Sequence, residues 1–263
     1  MRSARQKYAL ITPFHACIGH QPRHIAKGRN FLTSGPFHPS ATCGIVSVSL
    51  KRFRGMPQAM VNTTCPNCGD DAAPALDRLR MTPCASCGTT LFIHDDRMEL
   101  AGEQGVMHDA PMLFDLGDTV HLPRGHFTAM GHARFSYGRG VWDEFWGLDE
   151  EGLRCWLSVD EGDLVLQYPL KSNQYPALDR VPLIGHVFQW NYMRFTVTEL
   201  DEAECIALRG SFEDVPVVGE RYTFFNCTAD DMRLLSGEFW DGGRAWYIGH
   251  WHDPFEVRVE RAA

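Results

Sequence analysis

The chain has 263 residues and a formal net charge of −8, and its length accommodates one to three domains. The charge is unevenly divided: residues 1–60 hold nine of the 25 Lys and Arg and no Asp or Glu, so residues 61–263 combine 16 basic with all 33 acidic residues. This acidic body argues against nucleic acid or an anionic membrane surface as a direct partner. No run of 18 apolar residues occurs, so we expect no membrane-spanning helix.

Residues 1–59 form a basic leader without clear periodicity. An acid-free segment that contains Arg resembles a mitochondrial transit peptide, and targeting is therefore one interpretation. Met56 and Met60 stand just before the first cysteine motif, which favours instead an over-extended start or a disordered tail. We expect the leader to be disordered or over-extended.

The next feature is a pair of cysteine motifs, Cys65-Pro66-Asn67-Cys68 and Cys84-Ala85-Ser86-Cys87, separated by 15 residues and each followed by glycine. This spacing is typical of a structural zinc site, in which two tight turns bring four thiolates around one Zn²⁺ ion. Four thiolates leave no open position, so we expect no catalysis at the metal. Residues 60–96 are too few to bury a useful core, so zinc would supply the folding free energy of this ribbon.

The five other cysteines are odd in number and lack paired spacing, which argues against a disulfide framework. A reducing, cytoplasmic location is the simplest account of this composition together with a thiolate metal site. These cysteines are Cys17, Cys43, Cys155, Cys205 and Cys227.

Residues 95–111 are polar and resemble a linker, and from Leu113 onward short apolar or alternating runs are separated by glycine and acidic turns. This pattern predicts an all-β protein with two related antiparallel modules, residues 113–170 and 181–260, arranged as a sandwich or barrel. An internal duplication is suggested by Glu144-Phe145-Trp146 and Glu238-Phe239-Trp240, each of which begins a predicted hairpin that has tryptophan on its second arm.

Residues of both modules also carry a family resemblance. After the two cysteine motifs, they are Gly131, the segment 142–146 and the segment 156–158 in the first module; in the second, the segment 195–199 is followed by Ala203, Gly210, Pro216, Gly219, Tyr222, Asp230 or Asp231, Glu238 and Gly249. Over roughly residues 60–260 the chain resembles the bacterial domain of unknown function numbered 4178. The resemblance implies no established activity, places zinc on Cys65, Cys68, Cys84 and Cys87, and assigns no catalytic residue. It also implies gene neighbourhoods that contain polyamine-related enzymes and small membrane proteins, and hence an accessory role in membrane-stress or polyamine-linked physiology.

Four further residues are candidates for ligand binding. Glu144 and Glu238 occupy equivalent places in the two predicted hairpins, and carboxylates brought together in this way can transfer protons or bind a cation. Anchoring a turn or pairing with Arg is the simpler interpretation. His250 and His252 share a strand face beside Asp253, which suggests either a second metal site or an ordinary polar face.

These observations favour a non-catalytic module that presents an acidic surface to a protein partner or binds a cationic ligand such as a polyamine. The alternative is an enzyme whose site lies between the two β modules, around Glu144, Glu238 and His250. Nucleic-acid binding through the ribbon ranks last, because the ribbon itself is acidic.

Overall fold

A computed structural model describes residues 63–94, 97–101 and 104–262, so the predicted leader lies outside the described residues. The described residues belong to one compact unit, Gly55–Ala263. They contain strands and two 3-10 turns but no α-helix, which confirms the predicted all-β class. Nowhere in these ranges is a helix both long and apolar enough to span a membrane.

A small sheet is formed by one strand that precedes the second cysteine motif and two strands that follow it. Its strands, in the order β1-β2-β3, are Met81–Pro83, Thr90–His94 and Arg97–Leu100. The prediction of a linker over residues 95–111 is therefore wrong for β3, which pairs antiparallel with β2. A single buried residue of β3, Met98, packs on the ribbon core, and one apolar residue in a polar segment is too weak a pattern to predict a strand.

Eleven further strands form one large antiparallel sheet. The strands of the first half are β4 Thr119–His121, β5 His126–Ser136, β6 Val141–Asp149, β7 Arg154–Asp160 and β8 Asp163–Pro169. Those of the second half are β9 Val187–Trp190, β10 Met193–Gly210, β11 Arg221–Ala229, β12 Arg233–Trp240, β13 Gly243–His252 and β14 Arg258–Glu260.

Eight of these strands close on themselves as a barrel. Their order is β5-β6-β7-β8-β13-β12-β11-β10, and β10 pairs back onto β5 with Cys205 opposite Phe135. The first half contributes β5–β8 and the second β10–β13, so the halves meet along two seams, β8 with β13 and β5 with β10. Of the two predicted arrangements, sandwich and barrel, the strand order shows the barrel. The sequence-based domain boundaries stay predictions.

The outer faces of the two halves carry separate hydrophobic clusters, because alternate side chains of a strand point to opposite faces. On the first half the core residues include Phe114, Phe127, Phe145, Leu157 and Leu164. On the second half they include Phe195, Phe225, Cys227, Leu235 and Trp246. Chain segments before and after the strands cover both clusters.

A third cluster joins the barrel to the ribbon. Leu79 and Met81 of the ribbon are fully buried against Trp146 of β6 and Phe212, which follows β10. Ribbon and barrel thus share a continuous apolar core, and burying those side chains stabilises both elements.

Each of the two Glu-Phe-Trp segments lies on the first strand of a hairpin, β6–β7 or β12–β13, whose second strand carries Trp156 or Trp246, but the two hairpins take different places in the barrel order. Glu144 lies on β6, the second barrel strand of its half, whereas Glu238 lies on β12, the third barrel strand of the other half. The internal duplication itself stays a prediction.

Candidate functional site

The two cysteine motifs form two turns with the same hydrogen bonds. Gly69 N–H donates to Cys65 O at 2.9 Å, and Gly88 N–H donates to Cys84 O at 2.8 Å. Both glycines have positive φ, +83° and +72°, which a residue with a side chain adopts at a cost. The glycine after each motif is therefore required by the turn that aims both thiols to one side.

All four sulfur atoms lie within 4.8 Å of one another. Sγ of Cys65 is 3.8 Å from Sγ of Cys87, and Sγ of Cys68 is 3.7 Å from Sγ of Cys84. A Zn–S bond of about 2.3 Å gives a tetrahedral S–S edge of about 3.8 Å, so the thiols fit a Zn²⁺ ion. In the described ranges this is the one group of three or more such ligands that comes together.

The interior of the barrel holds a cavity of about 430 Å³. Six aromatic side chains from different strands contribute to its wall: Phe135, Trp146, Trp156, Tyr222, Trp240 and Tyr247. Acidic side chains are the other main group, namely Glu144, Asp214, Glu220 and Glu238, against the single cation of Arg154. The guanidinium of Arg154 is already paired with Glu213 and Asp214, at 3.1 and 3.3 Å.

The structure brings Glu144 and Glu238 together in this cavity, although they lie on β6 and β12. Glu144 Oε1 accepts hydrogen bonds from Trp142 Nε1 at 3.1 Å and Ser158 Oγ at 2.9 Å. Burial raises the pKa of Glu144, and these two hydrogen bonds oppose the rise.

Glu238 has a different environment, with no hydrogen-bond or ion-pair partner in the part of the chain that the structure describes. Burial, and then the charge of Glu144, raise its pKa to about 8. Because the charge of Glu144 acts on Glu238, Glu144 ionises first of the two, and Glu238, with a pKa of about 8, holds its proton at pH 7. The charge of Glu238, followed by burial, in turn raises the pKa of Tyr247.

The two histidine candidates lie elsewhere. His250 is exposed and His252 is half-buried on β13, and neither lines the cavity. Asp253 instead accepts a hydrogen bond from Phe255 N–H and begins a 3-10 turn. Burial lowers the pKa of both histidines, so both are neutral at pH 7.

A buried ionic network was missed by the sequence analysis. Arg209 Nε donates to His132 Nδ1 at 2.9 Å, so His132 Nε2 carries the proton and donates to Asp143 Oδ1 at 2.7 Å. Arg134 Nε donates to the same carboxylate at 2.8 Å. Burial lowers the pKa of His132, which keeps the ring neutral at pH 7. The residues of this network lie on β5, β6 and β10, so no local sequence pattern predicts it.

Comparison with known proteins identifies the barrel. A family model described as a domain of unknown function (DUF4178) matches residues 115–254, more than half of the chain. The chain belongs to this family. No curated protein and no solved structure matches it.

The match to DUF4178 confirms the predicted resemblance and includes every strand from β4 to β13. All four acidic residues of the cavity wall, Glu144 and Glu238 among them, lie in the matched DUF4178 residues. The four cysteines precede the matched range, so the ribbon is supported by the geometry of the thiols rather than by the family.

Proposed function

We propose that the protein is a non-catalytic binding module whose barrel cavity takes a small organic cation, and whose ribbon is closed by a structural Zn²⁺ ion. The observation that carries the proposal is the carboxyl group of Glu238. It faces a cavity, it finds no hydrogen-bond partner in the described residues, and its pKa of about 8 keeps it protonated at pH 7 beside Glu144, which ionises first.

Without a bound cation, the proton on Glu238 prevents repulsion between the carboxylates of Glu238 and Glu144. A bound cation would take over this role. Two carboxylates near each other cannot both ionise cheaply in a low-dielectric interior, and a positive charge between them favours ionisation of both. Binding would therefore release about one proton at neutral pH. The single arginine of the wall is already paired, so it does not oppose a cation.

The aromatic wall favours an organic cation over a bare metal ion. Ammonium groups are attracted to the faces of Trp and Tyr rings, and aromatic side chains also bury the methylene chain of an amine. A cavity of about 430 Å³ is within the size range of small-molecule sites, roughly 300–1,000 Å³. A linear amine such as a polyamine combines these features.

The test is calorimetric titration of the full chain at physiological salt with spermidine, and with 1,4-butanediol as a neutral comparator. We expect spermidine alone to bind, more tightly at pH 9 than at pH 7, with an enthalpy that depends on the buffer because a proton is released. Glu238→Gln should weaken binding by about 10- to 100-fold, since a charged hydrogen-bond partner is lost.

Glu151→Gln is the matched control, because it removes one negative charge from an exposed turn and distinguishes the cavity from general attraction to an acidic surface. Equal affinity of spermidine for wild type and the Glu238 variant, or equal binding of butanediol, would contradict the proposal.

The enzyme alternative has one observation in its favour. Glu238 and Glu144 are two carboxyl groups in one cavity whose environments differ, so that Glu144 ionises before Glu238, and acid–base catalysis uses such pairs. The titrated samples distinguish the two functions: spermidine recovered unchanged by NMR after prolonged incubation supports binding, and its conversion supports an enzyme. A protein partner for the acidic surface stays a prediction.

A further inference from the structure

One short segment connects the ribbon to the cavity. We call residues 211–220, between β10 and β11, the mouth loop. Its residues 214–217 line the cavity, and Val217 is 60% exposed at the opening. The mouth loop therefore lies where a ligand would enter or leave.

Backbone hydrogen bonds attach the start of this loop to the ribbon. Met81 and Phe212 exchange both of their backbone hydrogen bonds, each 3.1 Å long, and Arg80 N–H donates to Phe212 O at 2.8 Å. The Phe212 side chain is fully buried in the shared core. Met81 stands only three residues before Cys84, a member of the thiol cluster.

Side chains continue the attachment. Arg78 Nε of the ribbon lies 3.3 Å from Glu213 Oε2, and Arg154 Nη1 of β7 lies 3.1 Å from Glu213 Oε1. Both pairs are partly exposed, so each contributes modestly to stability, but together they fix the direction in which the mouth loop leaves Phe212. The far end of the loop is held independently of the ribbon, by Gly219 N–H donating to Cys205 O at 2.8 Å.

We propose that metal loading of the ribbon holds the mouth loop over the cavity and so controls the entry and release of the ligand. The control of ligand entry and release rests on the proposed binding function, whereas the attachment of the mouth loop to the ribbon does not. Without a metal, no ion joins the four thiols, so the two cysteine turns are no longer held to each other. The three-residue strand β1, which precedes the second turn, is then no longer fixed in position. The loop then loses its partners at Phe212 and keeps those at Gly219.

Hydrogen exchange of the full chain, before and after removal of the metal with a chelator, tests the attachment without any ligand. We expect amide exchange at Phe212 to rise about tenfold or more, because its N–H loses the hydrogen bond to Met81 O of β1, while Gly219 and residues 221–229 of β11 lose less protection. Equal exchange in the mouth loop before and after chelation would overturn the inference. A loss of protection in β11 as large as that at Phe212 would also overturn it, since the mouth loop would then open only when the whole fold opens.

Spermidine release, followed by stopped-flow tryptophan fluorescence, tests the regulation. We expect release about tenfold faster from the chelated protein. Arg78→Ala, which leaves all four thiols in place, should also accelerate release, whereas Arg97→Ala, which removes an exposed ribbon arginine, should not. If the metal-loaded protein fails to bind spermidine, the proposed function is wrong and the exchange measurement alone decides the inference. If it binds and all four proteins release spermidine at one rate, the regulation is wrong and the binding function stands.

Discussion

At the scale of single residues, two carboxyl groups of the barrel show opposite adaptations to burial. Burial would raise the pKa of Asp143, but hydrogen bonds from His132 and Arg134 outweigh it and lower that pKa, so Asp143 is ionised. Glu238 has no such donors among the described residues, and its pKa is raised to about 8. The first carboxylate stabilises the fold, whereas the second is suited to a ligand.

We predict that Asp143→Asn destabilises the protein by about 3–5 kcal/mol, because it leaves the buried guanidinium of Arg134 without its counter-charge. Asp201→Asn is the matched control. It breaks a pair of almost the same length, 2.7 against 2.8 Å, but Arg139 in that pair is 68% exposed, so the cost should be below about 1 kcal/mol. Chemical denaturation of both variants measures the difference. Equal costs would show that the Asp143 network is not a structural unit.

We predict that Glu238→Gln makes the protein more stable at alkaline pH. The folded pKa of about 8 exceeds the ordinary value of 4.5, so between these pH values the folded state holds a proton that the unfolded state gives up. The unfolding free energy of the wild type should fall as pH rises through this window, whereas the variant should lack that contribution.

At pH 8.5 the gain of the Glu238 variant should be about 2 kcal/mol, since each unit of pKa shift is worth about 1.4 kcal/mol and water in the cavity moderates the effect. Urea denaturation at pH 5 and pH 8.5 checks this, with Glu151→Gln as the control for the loss of one charge. A constant difference between Glu238→Gln and wild type at both pH values would contradict the raised pKa.

At the scale of elements, the ribbon is a local structure with a non-local consequence. Its thiols are brought together by two turns of the same kind, each closed by a glycine with positive φ. The fully buried side chains of Leu79 and Met81 nevertheless pack on the barrel. Loss of the metal should therefore affect stability beyond residues 60–96.

We predict that the purified protein contains one Zn²⁺ per chain and that Cys84→Ser removes it. The variant should also lower the thermal midpoint by about 5 °C or more, because the ribbon side chains lose their place in the shared core. Metal analysis and calorimetry measure the two effects. Cys227→Ala, at a buried cysteine of the outer cluster, is the control that should keep its metal. Unchanged zinc content in Cys84→Ser would contradict the ribbon site.

Elements were more predictable than their arrangement. Most strands of the large sheet follow their alternating patterns to within a few residues, and the two cysteine turns follow from spacing alone. Residues 201–207 belong to the long strand β10, whose pairing passes from β11 to β5. That transfer, which closes the barrel, depends on contacts about 70 residues apart and leaves no periodic signal.

The candidate site illustrates the same limit. Sequence reasoning selected Glu144 and Glu238 for a symmetry that the strand order does not show, yet the closed barrel places both in one cavity. The tyrosines beside them and the His132 network were not found, because their partners come from distant strands. Residue types suggested the chemistry of the site, and barrel closure determined which residues meet.

At the scale of the whole molecule, the barrel makes the two sequence halves interdependent. Each half has an outer hydrophobic cluster of its own, but β8 and residues 131–135 of β5 pair with strands of the other half, and the cavity wall is shared by both halves. An isolated half would expose two unpaired strand edges and the apolar wall of the cavity. The acidic and aromatic cavity therefore exists only when both seams are formed.

We predict that neither half folds alone and that the two halves reassemble when produced together. The chain should be divided after Pro169, because Leu170, Tyr175 and Leu178 pack on the outer cluster of the second half. Separately, fragments 1–169 and 170–263 should show no cooperative unfolding and weak near-ultraviolet circular dichroism. Co-expressed, they should purify as a one-to-one complex with a single unfolding transition, since both seams can then pair. A cooperative transition in either isolated fragment would mean that β5–β8 or β10–β13 is an independent domain. The cavity would then lie at an interface between two domains rather than in the interior of one.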